Sequence, residues 1–409
     1  MTLPAALRRP ALPAPAPLSP LLDRALAVAL AAYGFLIPWS VAGTNLVLAV
    51  LLLLALAAAP SWWRGRPWRE PTMAVGLLLL AWIVLHTLVL DGPGRLRSPF
   101  FSYKELLAGP LLFGLFRLCS RRRWFLWALV AGTLAWAAFN WSSLLSAHMA
   151  DVLTPHRISA SFDFALLAFV LLEQGRHAAR PWPFRLAALF LALTVLFAMD
   201  GRTGQLVLLL LLAFAAWLSS PPRWRLGAVI VVPVLVAAVA LASGAVQRRL
   251  AETVQAVEQP AKAPVTSSDI RMELVRHGLE LVREHWLLGG GFTHYAELHQ
   301  DAVRRAYAND PARRDLWQTF WARLGNPHDE YVMQVVGGGI VSLALFLAWL
   351  AMPMLRRRSD GRAVPVLVGV ALAFAVGCLF NSLLLDFVEG HYYTALLAWL
   401  LARESTTAA

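Results

Sequence analysis

The sequence predicts an all-α, polytopic integral membrane protein with about twelve transmembrane helices. Of its 409 residues, 59% are hydrophobic and only 15% are charged, whereas a soluble protein carries about a quarter charged residues. Uncharged runs such as 46–59 and 206–218 approach, with their flanks, the ~20 residues that cross a bilayer. This composition excludes an ordinary soluble domain.

Twelve separate apolar runs, bounded by polar or helix-breaking residues, mark the predicted spans. In chain order they cover residues 22–39, 45–59, 72–90, 103–118, 124–146, 159–173, 184–199, 205–218, 226–243, 331–350, 364–381 and 387–401. The split between the first two runs rests on Pro38 to Thr44, and only a few polar residues separate the last two.

Basic residues concentrate in every second connection between these spans. The clusters are Arg64, Arg66 and Arg69; Arg121, Arg122 and Arg123; Arg176, Arg180 and Arg185; Arg223 and Arg225; and Arg356, Arg357, Arg358 and Arg362. Because short basic loops stay in the cytoplasm, both termini are predicted to be cytoplasmic. The alternate connections then face outward. The net charge of +12 reflects these loops, and no nucleic-acid partner is expected.

A long polar segment, residues 244–330, interrupts the apolar pattern and divides the chain. Spans one to nine occupy residues 1–243, and spans ten to twelve occupy residues 331–409. Within the segment, helical spacing over 270–288 predicts an amphipathic helix that a triple glycine, 289–291, ends; cradling a phosphate is the alternative role for these glycines. Further short helices are predicted over 299–307 and 316–324, and residues 258–267 are predicted to form a linker.

Three outward-facing residues are candidates for chemistry at the membrane surface. Arg202 opens the eighth span, and Arg271 is predicted near the start of the amphipathic helix, where free N–H groups favour an anion. A guanidinium group suits diphosphate oxygens. His328 precedes the tenth span, and neutral histidine accepts a proton near pH 7. The alternatives are a snorkelling Arg202, a solvated Arg271 and a merely exposed His328.

Several further polar residues share this predicted side and are candidates for supporting roles. They are Asp329 and Glu330, placed to orient or tune the imidazole, Arg157, and Asp386, Glu389 and His391 in the last outer turn. No outer loop carries Asp-x-Asp or the clustered carboxylates that hold Mg²⁺, and H-E-x-x-H, G-x-S-x-G and P-loop motifs are absent. No metal or cofactor is therefore expected.

At these residues the sequence resembles the bacterial O-antigen ligases of the O-antigen ligase/polymerase superfamily. The resemblance is carried by Asp-Gly-Arg-Thr-Gly at 200–204, Arg271, Trp-Leu-Leu-Gly-Gly-Gly-Phe at 286–292, Asn-Pro-His-Asp-Glu-Tyr at 326–331, Gly-Gly-Gly-Ile at 337–340 and Asp-Phe-Val-Glu-Gly-His at 386–391. Similar sequences usually have Asn after the histidine. Here Asp329 follows it, and its charge is expected to raise the pKa of the imidazole.

The resemblance implies a metal-independent, inverting transferase of the glycosyltransferase C type in the bacterial inner membrane. Such an enzyme moves a glycan from undecaprenyl diphosphate to a hydroxyl of lipid A–core at the periplasmic face. By this analogy Arg202 and Arg271 bind the diphosphate and His328 is the catalytic histidine. The alternatives are an O-antigen polymerase, a protein O-oligosaccharyltransferase and, without catalysis, a lipid or polysaccharide transporter. Membrane lipids are expected partners in every case.

Overall fold

The described part of the chain is helical throughout its regular structure. The computed structural model describes residues 16–143, 157–199, 201–241, 247, 267–311, 314, 315, 317, 325–357 and 364–407. Its α-helices are α1 (Pro20–Leu36), α2 (Val41–Ala57), α3 (Ala59–Arg64), α4 (Pro71–Leu90), α5 (Arg97–Ser102), α6 (Glu105–Leu118), α7 (Arg123–Ser143), α8 (Arg157–Arg176), α9 (Trp182–Leu193), α10 (Arg202–Ser219), α11 (Arg225–Leu241), α12 (Ser267–His285), α13 (Tyr295–Ala306), α14 (Glu330–Met354), α15 (Pro365–Gly377) and α16 (Phe387–Thr407). No strand occurs among these residues.

An α-helix forms at each of the twelve predicted positions, which confirms the all-helical class. Within the described residues, four helices are long and apolar enough to cross a membrane, namely α4, α7, α10 and α14. A fifth span results if α2 and the following helical segment to Arg69, which meet at 83°, are counted together. The apolar segments Trp182–Ala198 and Pro365–Gly377 are shorter. Twelve crossings and the orientation of the termini remain predictions.

The core lies around α16, which packs against α6, α8 and α15. From Tyr392 to Ala402 its residues are buried without exception, because neighbouring helices surround it on all sides. Aromatic rings fill the space between helices: Tyr393 stacks on Phe374 of α15 with centroids 3.9 Å apart. The outer helices instead leave a wide apolar face exposed, as with Leu52, Leu53 and Leu56 of α2. Exposed apolar faces of this kind suit contact with lipid.

The amphipathic helix of the polar segment is present, but it begins earlier than predicted. It covers Ser267–His285 rather than 270–288. The short helix predicted over 299–307 is observed as α13, beginning at Tyr295. The predicted helix over 316–324 and the linker over 258–267 lie almost entirely outside the described residues. The division of the chain at 243 and 330 stays a prediction.

Two glycine-rich stretches dock the polar segment onto the bundle. At Gly339, φ is 69° and ψ is −166°, so α14 is broken there and the carbonyl groups before the break are open to other donors. The N–H groups of Gly290 and Gly291 donate to the carbonyl oxygens of Val336 and Gly337, at 2.6 and 3.0 Å. The N–H of Ile340 donates back to the carbonyl oxygen of Leu287 at 3.3 Å.

The contacts of the triple glycine, 289–291, decide between a helix end and a phosphate cradle. The glycines end α12, since the N–H of Gly289 donates to the carbonyl oxygen of His285 at 2.9 Å. Gly289 and Gly291 have positive φ values, 81° and 102°, which glycine adopts without steric cost. Because the N–H groups of Gly290 and Gly291 are bonded to α14, they are not directed at a phosphate.

Substitution of Gly339 tests this docking. A Cβ atom there would overlap the backbone of Leu287 and Leu288, and the positive φ alone costs about 1–3 kcal/mol for other residues. We expect Gly339→Ala to lower the thermal unfolding midpoint of the purified protein by several degrees. Gly227→Ala in α11 is the control, because a Cβ atom there meets nothing within 4 Å. Equal unfolding midpoints for the two variants would contradict the docking.

Candidate functional site

Arg202 is the first residue of α10, and its position is fixed by close packing. Gly204 lies against the backbone of Ser161 in α8 with no room for a side chain. The hydroxyl of Thr203 accepts a hydrogen bond of 3.0 Å from the side-chain amide of Asn381, which follows α15. The start of α10 is therefore held between α8 and the turn after α15, while the Arg202 side chain is exposed. The neighbouring Asp200 lies outside the described residues.

Arg271 lies on α12, half-buried, but not at the helix end that the sequence predicted. The helix begins at Ser267, so Arg271 is its fifth residue and its own N–H lies beyond the four that lack an intrahelical acceptor. The prediction that free backbone N–H groups accompany Arg271 is therefore wrong. Gly278, two turns later, packs against Val332 of α14 and holds this face of α12 against the start of that helix.

His328 lies directly before α14 in an unusual backbone conformation. Its φ is 52°, a left-handed value that Asn, Asp and His adopt more readily than other side chains. Its N–H donates to the side-chain oxygen of Asn326 at 3.1 Å, which closes a tight turn after the buried Pro327. The imidazole is half-buried. The turn directs the chain into α14 and leaves the histidine at the rim of the bundle.

Asp329 does not tune the imidazole as the sequence predicted. Its carboxylate accepts a 3.0 Å hydrogen bond from the N–H of Val332, so it is the N-cap of α14. The pKa of His328 is lowered, not raised, first because burial disfavours the imidazolium and second because of the positive charge of Arg271. The prediction of a raised pKa is wrong because the carboxylate is turned into the helix end.

Glu330 also has a role that the sequence did not indicate. It is fully buried, and its carboxylate accepts hydrogen bonds from the Gln334 amide at 2.7 Å, the N–H of Leu384 at 3.2 Å and the Tyr103 hydroxyl at 3.5 Å. Its own N–H donates to the carbonyl oxygen of Cys378 at 2.9 Å. Glu330 therefore fixes the start of α14, and with it His328, to three other parts of the chain.

Electrostatic interactions join the three candidates for chemistry. Burial lowers the pKa of Arg271, and the nearby charge of Arg202 lowers it further. The charge of Arg271 in turn contributes to the lowered pKa of His328. Charges affect one another in this way only at short range. The structure therefore brings Arg202, Arg271 and His328 into one neighbourhood, although they come from α10, α12 and the turn before α14.

The last predicted group consists of Asp386, Glu389 and His391, and these residues lie in different surroundings. Burial raises the pKa of Asp386 to about 6, and this residue lies close to Glu330. Glu389 and His391 are both 1% exposed and lie within the helix packing instead of at a surface. The Nδ1 of His391 is 2.8 Å from a carboxylate oxygen of Glu105. The side chain of Arg157 lies outside the described residues.

Asp163 is a buried acid inside α8, 1% exposed, and it belongs to none of the motifs or loops that the sequence singled out. Its carboxylate lies near that of Glu389. An acidic residue in an otherwise apolar span is a signal for a functional position, and Asp163 lies within the predicted span 159–173. That signal was available in the sequence.

An open cavity of about 740 Å³ adjoins the turn that carries His328. Its lining includes Arg95, Arg97, Phe101, Tyr295 and Gly325. Burial raises the pKa of Tyr295, and the charge of Asp329 raises it further, so the wall of this cavity reaches the start of α14. Chemically, the neighbourhood combines two guanidinium groups for an anion, a neutral imidazole for a proton and an adjoining open volume.

Comparison with known families agrees with the resemblance seen in the motifs. Residues 187–347 match the family model described as O-antigen ligase. The matched segment is less than half of the chain, but it contains Arg202, Arg271 and His328. It supports assignment of the protein to the O-antigen ligase superfamily. No curated protein matches the chain.

The pH dependence of activity tests the electrostatics of His328. If the neutral imidazole is the working form, activity should be retained below pH 6.5, the ordinary pKa of histidine, and lost at lower pH. Asp329→Asn should leave this acidic midpoint unchanged, because Asn keeps the helix cap and Asp329 does not set the pKa. Arg271→Gln should move the midpoint to higher pH in the residual activity. A midpoint that falls in Asp329→Asn would restore the original prediction.

Proposed function

We propose that this member of the O-antigen ligase superfamily transfers a glycan from a polyprenyl diphosphate, specifically undecaprenyl diphosphate, to a sugar hydroxyl of lipid A–core. The observation that carries the proposal is the electrostatic neighbourhood of Arg202, Arg271 and His328. Two guanidinium groups whose charges interact at short range favour a ligand with at least two negative charges. A diphosphate ester is such a ligand.

In the proposed reaction the two arginines bind the diphosphate and stabilise the charge that develops as it leaves. The bond between the anomeric carbon and the diphosphate oxygen breaks, and the acceptor oxygen attacks from the opposite face, which inverts the anomeric centre. The hydroxyl proton passes to His328, and the polyprenyl diphosphate departs with the bonding electron pair. Preorganised cations at a leaving group contribute strongly to stabilising the transition state. The reaction is therefore proposed to need no metal.

The lowered pKa of His328 supports its role as the base. Burial and the Arg271 charge keep the imidazole neutral near pH 7, and only the neutral form accepts a proton. The positive end of the α14 dipole acts in the same direction. We propose that the adjoining cavity admits the acceptor, since it opens beside the same turn. Asp386, close to Glu330, and Arg157 are proposed to support this end of the bundle.

The rival transferases use the same donor, so only the acceptor separates them. A polymerase would use a second lipid-linked glycan, and a protein O-oligosaccharyltransferase would use a protein hydroxyl. Purified protein supplied with lipid-linked donor and each acceptor in turn distinguishes them by the product formed. A transporter would form no product with any acceptor. We place the site in the inner membrane at the periplasmic face, with both termini cytoplasmic, because of the basic-loop pattern.

Replacement of His328 tests the catalytic assignment. The expected loss of transfer rate is about 10²–10⁴-fold, the contribution of general-base catalysis, with little change in helix content or unfolding midpoint. His328→Asn is the better variant, because Asn tolerates a positive φ whereas Ala would add strain. His177→Ala, at an exposed position after α8, is the matched control. Transfer at the normal rate by purified His328→Asn would remove this residue from the mechanism.

Conservative replacement of the arginines tests diphosphate binding separately. Lysine keeps the charge but lacks the two parallel donors of guanidinium. We therefore expect Arg202→Lys and Arg271→Lys to raise the KM for the lipid-linked donor by roughly tenfold or more, with the KM for the acceptor unchanged. Arg223→Lys, exposed between α10 and α11, is the control. An increase in the acceptor KM alone would reassign these arginines to the other substrate.

A further inference from the structure

We propose that a second, partly open cavity beside the candidate site binds one sugar ring of a glycan substrate, through the Asp163 carboxylate and the rings of Trp39 and Trp136. This proposal rests on the proposed function and extends it. It assigns a saccharide subsite to residues that lie outside the Arg202, Arg271 and His328 neighbourhood.

The cavity lies at the same end of the bundle as the candidate site. Its volume is about 270 Å³, and it is formed by the turn between α1 and α2, the second half of α7 and the first turns of α8 and α16. Ala160 lines it, and the next residue, Ser161, contacts Gly204 beside Arg202. Val388 also lines it, two residues after Asp386. Short stretches of α8 and α16 therefore separate the cavity from the candidate site.

Asp163 gives the cavity a polar group without a protein partner. The side chain is 1% exposed, and neither of its carboxylate oxygens has a hydrogen-bond donor among the described residues. Buried polar groups are almost always hydrogen-bonded, because burial without a partner is costly. The Tyr392 hydroxyl of α16 is near enough to interact electrostatically with Asp163, but it lies 3.1 Å from the Thr133 hydroxyl. A ligand with hydroxyl groups could donate hydrogen bonds to the Asp163 carboxylate.

Aromatic rings line the same cavity as this carboxylate. Trp39 and Trp136 meet edge to face with centroids 4.9 Å apart, and Phe164 follows Asp163 in the lining. The indole N–H of Trp39 donates to the carbonyl oxygen of Gly132 at 2.9 Å, which fixes the ring. A sugar ring has apolar C–H faces that pack on aromatic rings and hydroxyl groups at its edge that donate to a carboxylate.

Charge and size exclude the other parts of the proposed substrates. Glu389 lies close enough to Asp163 for the two groups to interact, and a pair of buried acids offers no positive charge to a diphosphate. Two carboxyl groups equally disfavour a polyprenyl chain, which offers no donor. The volume is just below the range of cavities for drug-sized ligands, so it suits a monosaccharide unit and not a whole glycan. The remaining candidate occupant of the cavity is a hydroxyl-bearing sugar unit of the donor or the acceptor.

Kinetics with each substrate varied in turn test the subsite and identify the source of the sugar. Asp163→Leu and Trp39→Ala should each raise the KM for one substrate by roughly tenfold, with kcat little changed. A raised donor KM assigns the subsite to the transferred glycan, and a raised acceptor KM assigns it to the core oligosaccharide. Asp163→Asn and Trp39→Phe, which keep a hydrogen-bonding group and an aromatic ring, should show smaller increases.

A matched control and a truncated substrate separate binding from structural damage. Glu173→Gln alters another buried acid of α8, paired with Arg176 at 2.9 Å near the other end of the helix, and should leave both KM values unchanged. Removing the sugar unit that occupies the cavity should weaken binding to the normal protein but not to Asp163→Leu. Should Asp163→Leu fail to fold, the comparison of Trp39→Ala with Trp39→Phe takes its place.

The outcomes distinguish this proposal from the proposed function. Unchanged KM values for both substrates, or a fall in kcat alone, would overturn the saccharide subsite while leaving the transferase in place. If the normal protein transfers no glycan to any acceptor, the proposed function fails. Calorimetric titration with the glycan released from the donor, and with core oligosaccharide, then decides the subsite alone: binding weakened by Trp39→Ala supports it, and binding unaffected by that change overturns it.

Discussion

The buried carboxylate of Glu330 is the interaction on which the candidate site depends. A fully buried acid is tolerated only when its oxygens are hydrogen-bonded, and here the donors come from Tyr103 before α6, Gln334 of α14 and the backbone of Leu384. Gln334 is held in turn by the Ser342 hydroxyl at 2.6 Å. Because His328 lies two residues before Glu330, the hydrogen bonds of the Glu330 carboxylate fix the position of His328 in the bundle.

The glycine docking provides the second constraint, since it attaches the polar segment to the same helix. The break at Gly339 leaves carbonyl groups open within α14, and the residues after α12 donate to them. An open carbonyl group is costly in an apolar setting, so the break and the docking stabilise each other. These backbone hydrogen bonds hold α12 beside α14, and the position of Arg271 therefore does not depend on contacts of its own side chain.

Much of the fold was predictable from the sequence because uncharged runs of sufficient length leave few alternatives to a helix. The same reasoning found Arg202 and His328, since each is a polar residue at the edge of an apolar run, whereas Arg271 was found near the start of the predicted amphipathic helix. The roles of Asp329 and Glu330 were not predictable in this way. Whether a carboxylate faces a neighbouring imidazole or its own helix end depends on backbone angles, and the partners of Glu330 lie up to 227 residues away in the chain.

The charged and acidic residues around the candidate site form two pairs. The charges of Arg202 and Arg271 interact with each other, and the buried acids Asp163 and Glu389 interact with each other. Because like charges repel at short range, the charge of Arg202 contributes to the lowered pKa of Arg271. A diphosphate would relieve that repulsion most when both guanidinium groups contact it. In the proposed reaction, one anion would therefore contact both α10 and α12 beside His328, so that the leaving group and the base would lie in the same neighbourhood.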